Sequence, residues 1–226
     1  MLSLKDYSVI KKCQLFNGLE DDITKIISCL KSKTISYDRD SFAIMEDDPI
    51  ESMGIILSGR VRIIREYADG NIDIIGELAD GEIFGVAMVC AGIKNSMVTV
   101  KAVEKCKIMY LDYRKIINVC PSVCKFHLKI IKNLIELVAA KNLMLQQKME
   151  IVTKKTIREK LLNYFAIQSK TAKSRKFSIP FNRTDLAFYI GADRSSMTRE
   201  LYRMQNDGLI RLDKKNFELL KAGKKT

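Results

Sequence analysis

The stretch that most restricts how this chain can fold is Asn182 to Arg211, NRTDLAFYIGADRSSMTRELYRMQNDGLIR. Asn182 is placed to cap a helix, with Asp185 three positions on in a capping-box arrangement that also suits the helix dipole. That helix is predicted to end at Ile190, because Gly191 takes a left-handed conformation without a Cβ penalty. Asp193 then caps a second helix, Arg194 to about Asn206, closed by Gly208. Leu186, Ala187 and Ile190 are expected to meet Met197, Leu201 and Met204, with the small Ala187 allowing a close crossing. The layout is a helix-turn-helix followed by a β-wing over Leu209–Leu220.

The outer face of the second helix carries Arg194, Ser195, Ser196, Thr198, Arg199, Tyr202 and Arg203, and Arg183 opens the first helix. Side chains at the start of such a helix reach base edges in a major groove, where arginine bonds guanine in bidentate fashion. These eight are the candidate DNA-contacting residues. Charge agrees with that reading. Residues 151–226 hold 18 of the 39 Lys and Arg but 7 of the 27 Asp and Glu, a surplus of +11 that leaves +1 for residues 1–150. A surplus confined to the segment with the folded motif favours phosphate contact over a polybasic membrane tail.

From Thr34 to Leu111 the pattern is that of strands: SMGIILSGRVRIIREY, NIDIIGEL, MVTVKAV and CKIMYL, broken by DG, DDP and AG turns. Many short strands with punctuating glycines imply a small antiparallel barrel or jelly roll. Residues 4–32 read as short helices that bury Phe16, Ile23, Ile26, Ile27 and Leu30. Pro121 opens a long helix to about Met149, with Ile131, Leu134, Val138, Lys141 and Leu145 spaced by three and four as a dimer seam. Phe126, Ile130, Leu137, Ala140 and Met144 make a neighbouring apolar stripe. A further helix, Lys154 to Ala166, is expected to continue into the C-terminal domain, with a basic loop at Lys170–Lys176.

On these residues the chain resembles the Crp/Fnr family of bacterial transcription regulators over nearly its whole length. The family pattern Gly-x-Ser-Arg-x-x-x-x-Arg-x-Leu appears as Gly191, Asp193, Arg194, Arg199 and Leu201; Asp193 stands for the serine, and Ser195 for the acidic residue after the first arginine. The half-site is therefore expected to depart from the family's best-known one. The sensor-domain order is matched by GIILSGRVRII (Gly54–Ile64) and ADGEIFG (Ala79–Gly85). The resemblance implies an α+β fold: an antiparallel β-roll or jelly-roll sensor over 1–118, a long dimerisation helix over 119–150, and a winged helix-turn-helix over 151–226. It also implies a homodimer on a two-fold symmetric duplex, RNA polymerase as a partner if the protein activates, and a small effector bound between roll and helix. No membrane association is expected, and the N-terminus lacks the apolar run of a signal peptide, so the location implied is cytoplasmic.

In family members that bind cyclic AMP, a glutamate follows the Phe-Gly pair, and ten residues on comes an arginine followed by Ser-Ala. Here Val86 follows Gly85, and the arginine position falls on Ser96, then Met97 and Val98; a shifted alignment offers Asn95 or Lys94. The adenine-contacting helix position falls on Val138. Valine accepts no hydroxyl hydrogen bond and serine brings no charge to a phosphate, so a different effector is expected. Phe84, Gly85, Val86, Met88, Val89, Ser96, Met97, Val98, Leu134 and Val138 are the candidate pocket, open to an apolar or aromatic effector or filled as core.

No cofactor is expected. The oxygen-sensing branch of the family clusters N-terminal cysteines, whereas Cys13 and Cys29 stand apart, and Cys120 and Cys124 flank Pro121 without further thiols nearby. His127, the sole histidine, is the one candidate haem ligand, with Cys or Met opposite. One histidine cannot furnish the two or three that a metal-dependent barrel enzyme needs, and no nucleophile–base pair stands out, so no metal site and no enzyme are expected.

Overall fold

The computed structural model describes residues 2–67, 72–118 and 125–220. Cys120, Pro121 and Cys124, on which the start of the long helix and the paired-thiol reading rest, lie outside them. The chain divides into two compact units, Met1–Ala140 and Lys141–Thr226.

In the first unit, α1 (Leu4–Lys12) begins at Ser3, which shares a reciprocal capping box with Asp6. The Asp6 carboxylate also accepts from Lys107 Nζ at 2.7 Å. Burial works against its charge, but Lys107 and Ser3 donate strongly enough to hold the carboxyl below its ordinary value. A 3-10 turn (Gln14–Phe16) and α2 (Ile23–Cys29) bury Leu15, Phe16, Ile23 and Ile26, while Ile27 is half-buried.

The strands are β1 (Lys33–Tyr37), β2 (Phe42–Ile44), β3 (Ser52–Ser58), β4 (Val61–Glu66), β5 (Ile72–Leu78), β6 (Ile83–Phe84), β7 (Thr99–Ala102) and β8 (Cys106–Asp112). Two short helices lie among and after them, α3 (Val86–Cys90) and α4 (Tyr113–Ile117). They form two antiparallel four-stranded sheets, β1-β8-β3-β6 and β2-β7-β4-β5. Strand alternation sets the layers. Met53, Ile55 and Leu57 of β3 and Met109 and Leu111 of β8 pack with the helices in one cluster, whereas Ile56 and Ile108 face Val61, Val100 and Ala102 of the second sheet. Both faces of β3 are thus covered, which is why it reads as an unbroken apolar run. Gly54 lies opposite Phe84 in the β3–β6 register, and a Cβ there would run into the Phe84 ring; only glycine admits the ring.

Helix α5 (Lys125–Val152) runs from the first unit into the second. Phe126, Ile130, Leu134 and Leu137 join the core of the first unit, and Asn133 donates to the Leu15 and Asn17 carbonyls, each at 2.9 Å. Leu134, read from the sequence as a seam position, is 4% exposed, while Ile135 beside it is 63% exposed. The seam is corrected accordingly: a leucine inside its own core has no surface left for a second chain. Ala140 and Met144, placed with the inner stripe, are exposed.

In the second unit, α5 gives way after Val152 to a turn, and α6 (Ile157–Thr171) restarts from Thr156 in a capping box with Glu159. The expected helix from Lys154 is therefore interrupted, because the Thr156 side chain takes the Glu159 amide and closes a new N-terminus. Then come β9 (Lys176–Ser178), α7 (Arg183–Ile190), α8 (Arg194–Asn206), β10 (Ile210–Asp213) and β11 (Asn216–Leu219), the three strands pairing antiparallel in the order β10-β11-β9. Phe165, Phe177 and Phe217 pack under the sheet with Ile151, Leu161, Leu186, Ile190, Met197, Leu201 and Met204.

Candidate nucleic-acid interface

Local chemistry sets the two helices of the motif. Asn182 Oδ1 accepts the Asp185 amide at 2.9 Å, and Gly191 ends α7 at φ 62°. Asp193 Oδ1 accepts from the Ser196 amide at 2.8 Å and the Ser195 hydroxyl at 2.7 Å. These bonds favour the charged carboxylate, so its pKa falls to about 2. Asp193 therefore caps α8 with a carboxylate that is charged at neutral pH.

The inner face of α8 buries Met197, Leu201 and Met204. Its polar side is pinned by Arg158 of α6, which pairs with Glu200 and, at 2.7 Å, with Asp207. One guanidinium thus holds both the middle and the C-terminal end of the helix. Sequence reasoning missed Arg158; its partners lie over forty residues away, and no local pattern joins them.

The outer face presents Arg194, Ser195, Arg199, Tyr202 and Arg203 to solvent, with Ser196 and Thr198 half-buried between them. Arg199 donates to Ser196 Oγ at 3.2 Å, and Thr198 Oγ1 donates to the Arg194 carbonyl at 2.7 Å. Seven of the eight candidates therefore share one helix. Arg183 is placed differently: it is half-buried with its guanidinium 5.5 Å from the Phe217 ring centroid, and burial presses its pKa down. It joins the start of α7 to the wing. At the wing's turn, Lys214 and Lys215 are exposed, Lys214 at φ 51° and Lys215 donating to the Pro180 carbonyl at 3.1 Å.

The candidate effector residues do not form one lining. Val86, Val89 and Leu134 belong to the core cluster on the helix side, with Met88 packed against it, while Phe84 belongs to the cluster between the sheets. Gly85 is the left-handed residue that starts α3. Ser96 is buried, with its Oγ donating to the Val98 carbonyl at 2.6 Å, and Val98 is half-buried. Met97 and Val138 are 51% and 37% exposed.

His127 is 1% exposed; its Nε2 lies 3.2 Å from the Lys115 carbonyl, and its ring stacks on Phe126. Cys13 and Cys106 are buried and Cys29 and Cys90 half-buried. Among the described residues, no group of three or more His, Cys, Asp and Glu is arranged to hold a metal ion, and no helix is long and apolar enough to cross a membrane.

Residues 34–122 match the cyclic nucleotide-binding domain family, and residues 159–224 the Crp-like helix-turn-helix domain family. Similar solved structures include the catabolite activator protein of Thermus thermophilus, 20% identical over 92% of this chain and 94% of its own, with a TM-score of 0.53. The c-di-GMP responsive global regulator CLP of Xanthomonas campestris is 18% identical over 89% and 99%, with a TM-score of 0.54. CprK complexed with OCPA is 12% identical over 88% and 90%, with a TM-score of 0.61. At these identities the likeness is one of fold. No curated protein sequence matches the chain. With both domain families present in this order and their shared fold extending along nearly the whole chain, the protein belongs to the Crp/Fnr family of transcription regulators.

Proposed function

We propose that the protein is a sequence-specific, double-strand DNA-binding regulator of transcription that works as a homodimer, gated by a small effector other than cyclic AMP. The observation that carries it is the outer face of α8, where Arg194, Arg199, Tyr202 and Arg203 stand exposed on a helix capped by Asp193 and braced by Arg158. A braced helix presents its arginines without first having to be ordered, and guanidinium forks suit guanine edges and phosphates.

The homodimer reading is supported by α5. Leu128, Ile131, Ile135, Val138, Asn142, Leu145 and Met149 recur by three and four, and all but the half-buried Ile131 are exposed. This is a coiled-coil seam with one polar residue, Asn142, of the kind that sets register at some expense of stability. Two such helices in parallel would carry two copies of α8 to a palindromic site. RNA polymerase becomes a third partner if the protein activates.

Against cyclic AMP stands the chemistry of the roll. Val86 supplies no carboxylate for a ribose, and the Ser96 hydroxyl is committed to Val98. The packing of Val86, Val89 and Leu134 into the core favours a second reading, a DNA-binding dimer whose roll works without any ligand. Haem has no support from His127, whose ring is enclosed and whose Nε2 faces a backbone carbonyl.

The test is selection of bound sequences from a random duplex pool with the purified full-length protein. A two-fold symmetric site whose recovery needs Arg199 supports the proposal. Sequence-independent binding, unchanged in Arg199→Ala, overturns it.

A further inference from the structure

Within the C-terminal unit, the last turns of α5, helix α6 and the approach to α7 enclose a cleft of about 450 Å³, a size typical of small-molecule sites. Three rings build it. Tyr164, Phe181 and Tyr189 pack on one another with centroid separations of 4.9, 5.4 and 6.1 Å. Met144 closes one side, and Lys148 and Gln168 stand at its edge.

Its polar groups lean one way. Lys148 Nζ lies 5.6 Å from the Tyr189 centroid and 5.9 Å from that of Phe188, held over ring faces. Among the described residues, no aspartate or glutamate lines the cleft. The Tyr164 hydroxyl, on a side chain 1% exposed, has no hydrogen-bond partner among the described residues. A buried donor without an acceptor is uncommon in folded proteins and calls for a reason. Burial pushes the Tyr164 pKa up, so the hydroxyl keeps its proton and stays a donor.

We infer that this cleft binds a planar aromatic carboxylate, its ring between the Tyr189 and Phe181 faces and its oxygens accepting from Lys148 and the Tyr164 hydroxyl. Flat rings match the walls, and a carboxylate matches a site furnished with donors and a cation. The site goes beyond the effector reading of the β-roll and does not depend on it. The cleft shares only Leu145 with the exposed stripe of α5: Met144 and Lys148 are a turn apart on the flank of the helix, away from Asn142 and Met149. The walls come from α5, α6 and α7, and α7 packs on α8, so a ligand here would favour one placement of the recognition helix over others.

Isothermal titration of the full-length protein with 1-naphthoate, and with the uncharged 1-naphthamide, tests the inference without DNA. It is thereby kept apart from any failure of operator binding. The acid is expected to bind once per chain and more tightly than the amide. Tyr164→Phe, which keeps the ring, and Lys148→Met, which keeps the stem, should each weaken the acid about tenfold, the usual effect of one lost bond to a charged group. Lys148→Met should also abolish the preference for acid over amide. Absence of saturable binding, equal binding of acid and amide, or binding that neither substitution alters would each overturn it; thermal unfolding of both variants confirms that they fold.

Discussion

The residues after Gly85 in the roll and the cleft around Tyr164 are both apolar places, yet their polar atoms are in opposite states. Ser96 is buried with its hydroxyl bonded to a carbonyl two residues away, and Val86, Val89 and Leu134 are packed into the core. Tyr164 is just as buried, but its hydroxyl has no partner among the described residues, and three rings and two lysines line open volume. Apolar lining is common to core and to pocket. What separates them is whether the buried polar groups have been satisfied by the fold itself.

The sharpest way to break this comparison is at Leu134 and Ile135. If Leu134 is core, Leu134→Ala should lower unfolding stability by about 2–5 kcal/mol in urea titration. Ile135→Asp should leave each chain folded and instead shift sedimentation toward monomer. The reverse pattern would return Leu134 to the seam. Next in size is ligand stabilisation. 1-Naphthoate at a hundred times its Kd should add about 2.7 kcal/mol, seen as a higher Tm, while cyclic AMP at the same concentration should leave the Tm where it was. A rise with cyclic AMP would mean that the roll opens.

Arg199→Ala should weaken operator binding by about 1–3 kcal/mol, read by fluorescence anisotropy, with the Tm unmoved. The smallest effect concerns Asp193. Its folded pKa of about 2 lies below the ordinary 3.8. The cap therefore stabilises α8 fully above about pH 4, and that contribution is lost as pH falls toward 2. Carboxyl chemical shifts followed by NMR should place the Asp193 midpoint near 2; a midpoint near 3.8 would mean that the cap is not formed in solution.

What could be read from the sequence follows from how local its cause is. Asn182 and Asp193 accept the amides three residues on and Gly191 donates to the Phe188 carbonyl three residues back, so the two helices of the motif were legible from local pattern. The restart of α6 at Thr156 was legible too, since Thr-x-x-Glu is a capping box, but the surrounding helix formers masked it. Leu134 and Ile135 could not be told apart, because two adjacent apolar residues both fit a three-four spacing and only the β-roll decides which is taken inside. The cleft was invisible for a different reason. Tyr164, Phe181 and Tyr189 lie on three segments, each with its own ordinary reading as core, and tertiary packing alone stacks their rings.

The division of the chain inside α5, at Ala140 and Lys141, bears on how such proteins are exchanged piece by piece. Ile151 sits in the core of the C-terminal unit, and Lys148 lies against Phe188 and Tyr189. A chimaera spliced at residue 151 would give the incoming reader head a foreign helix as one of its walls. A splice at residue 141 would carry the head with its own wall attached. The interchangeable cassette begins partway along the shaft, so recombination between relatives is expected to succeed more often within the long helix than at its end.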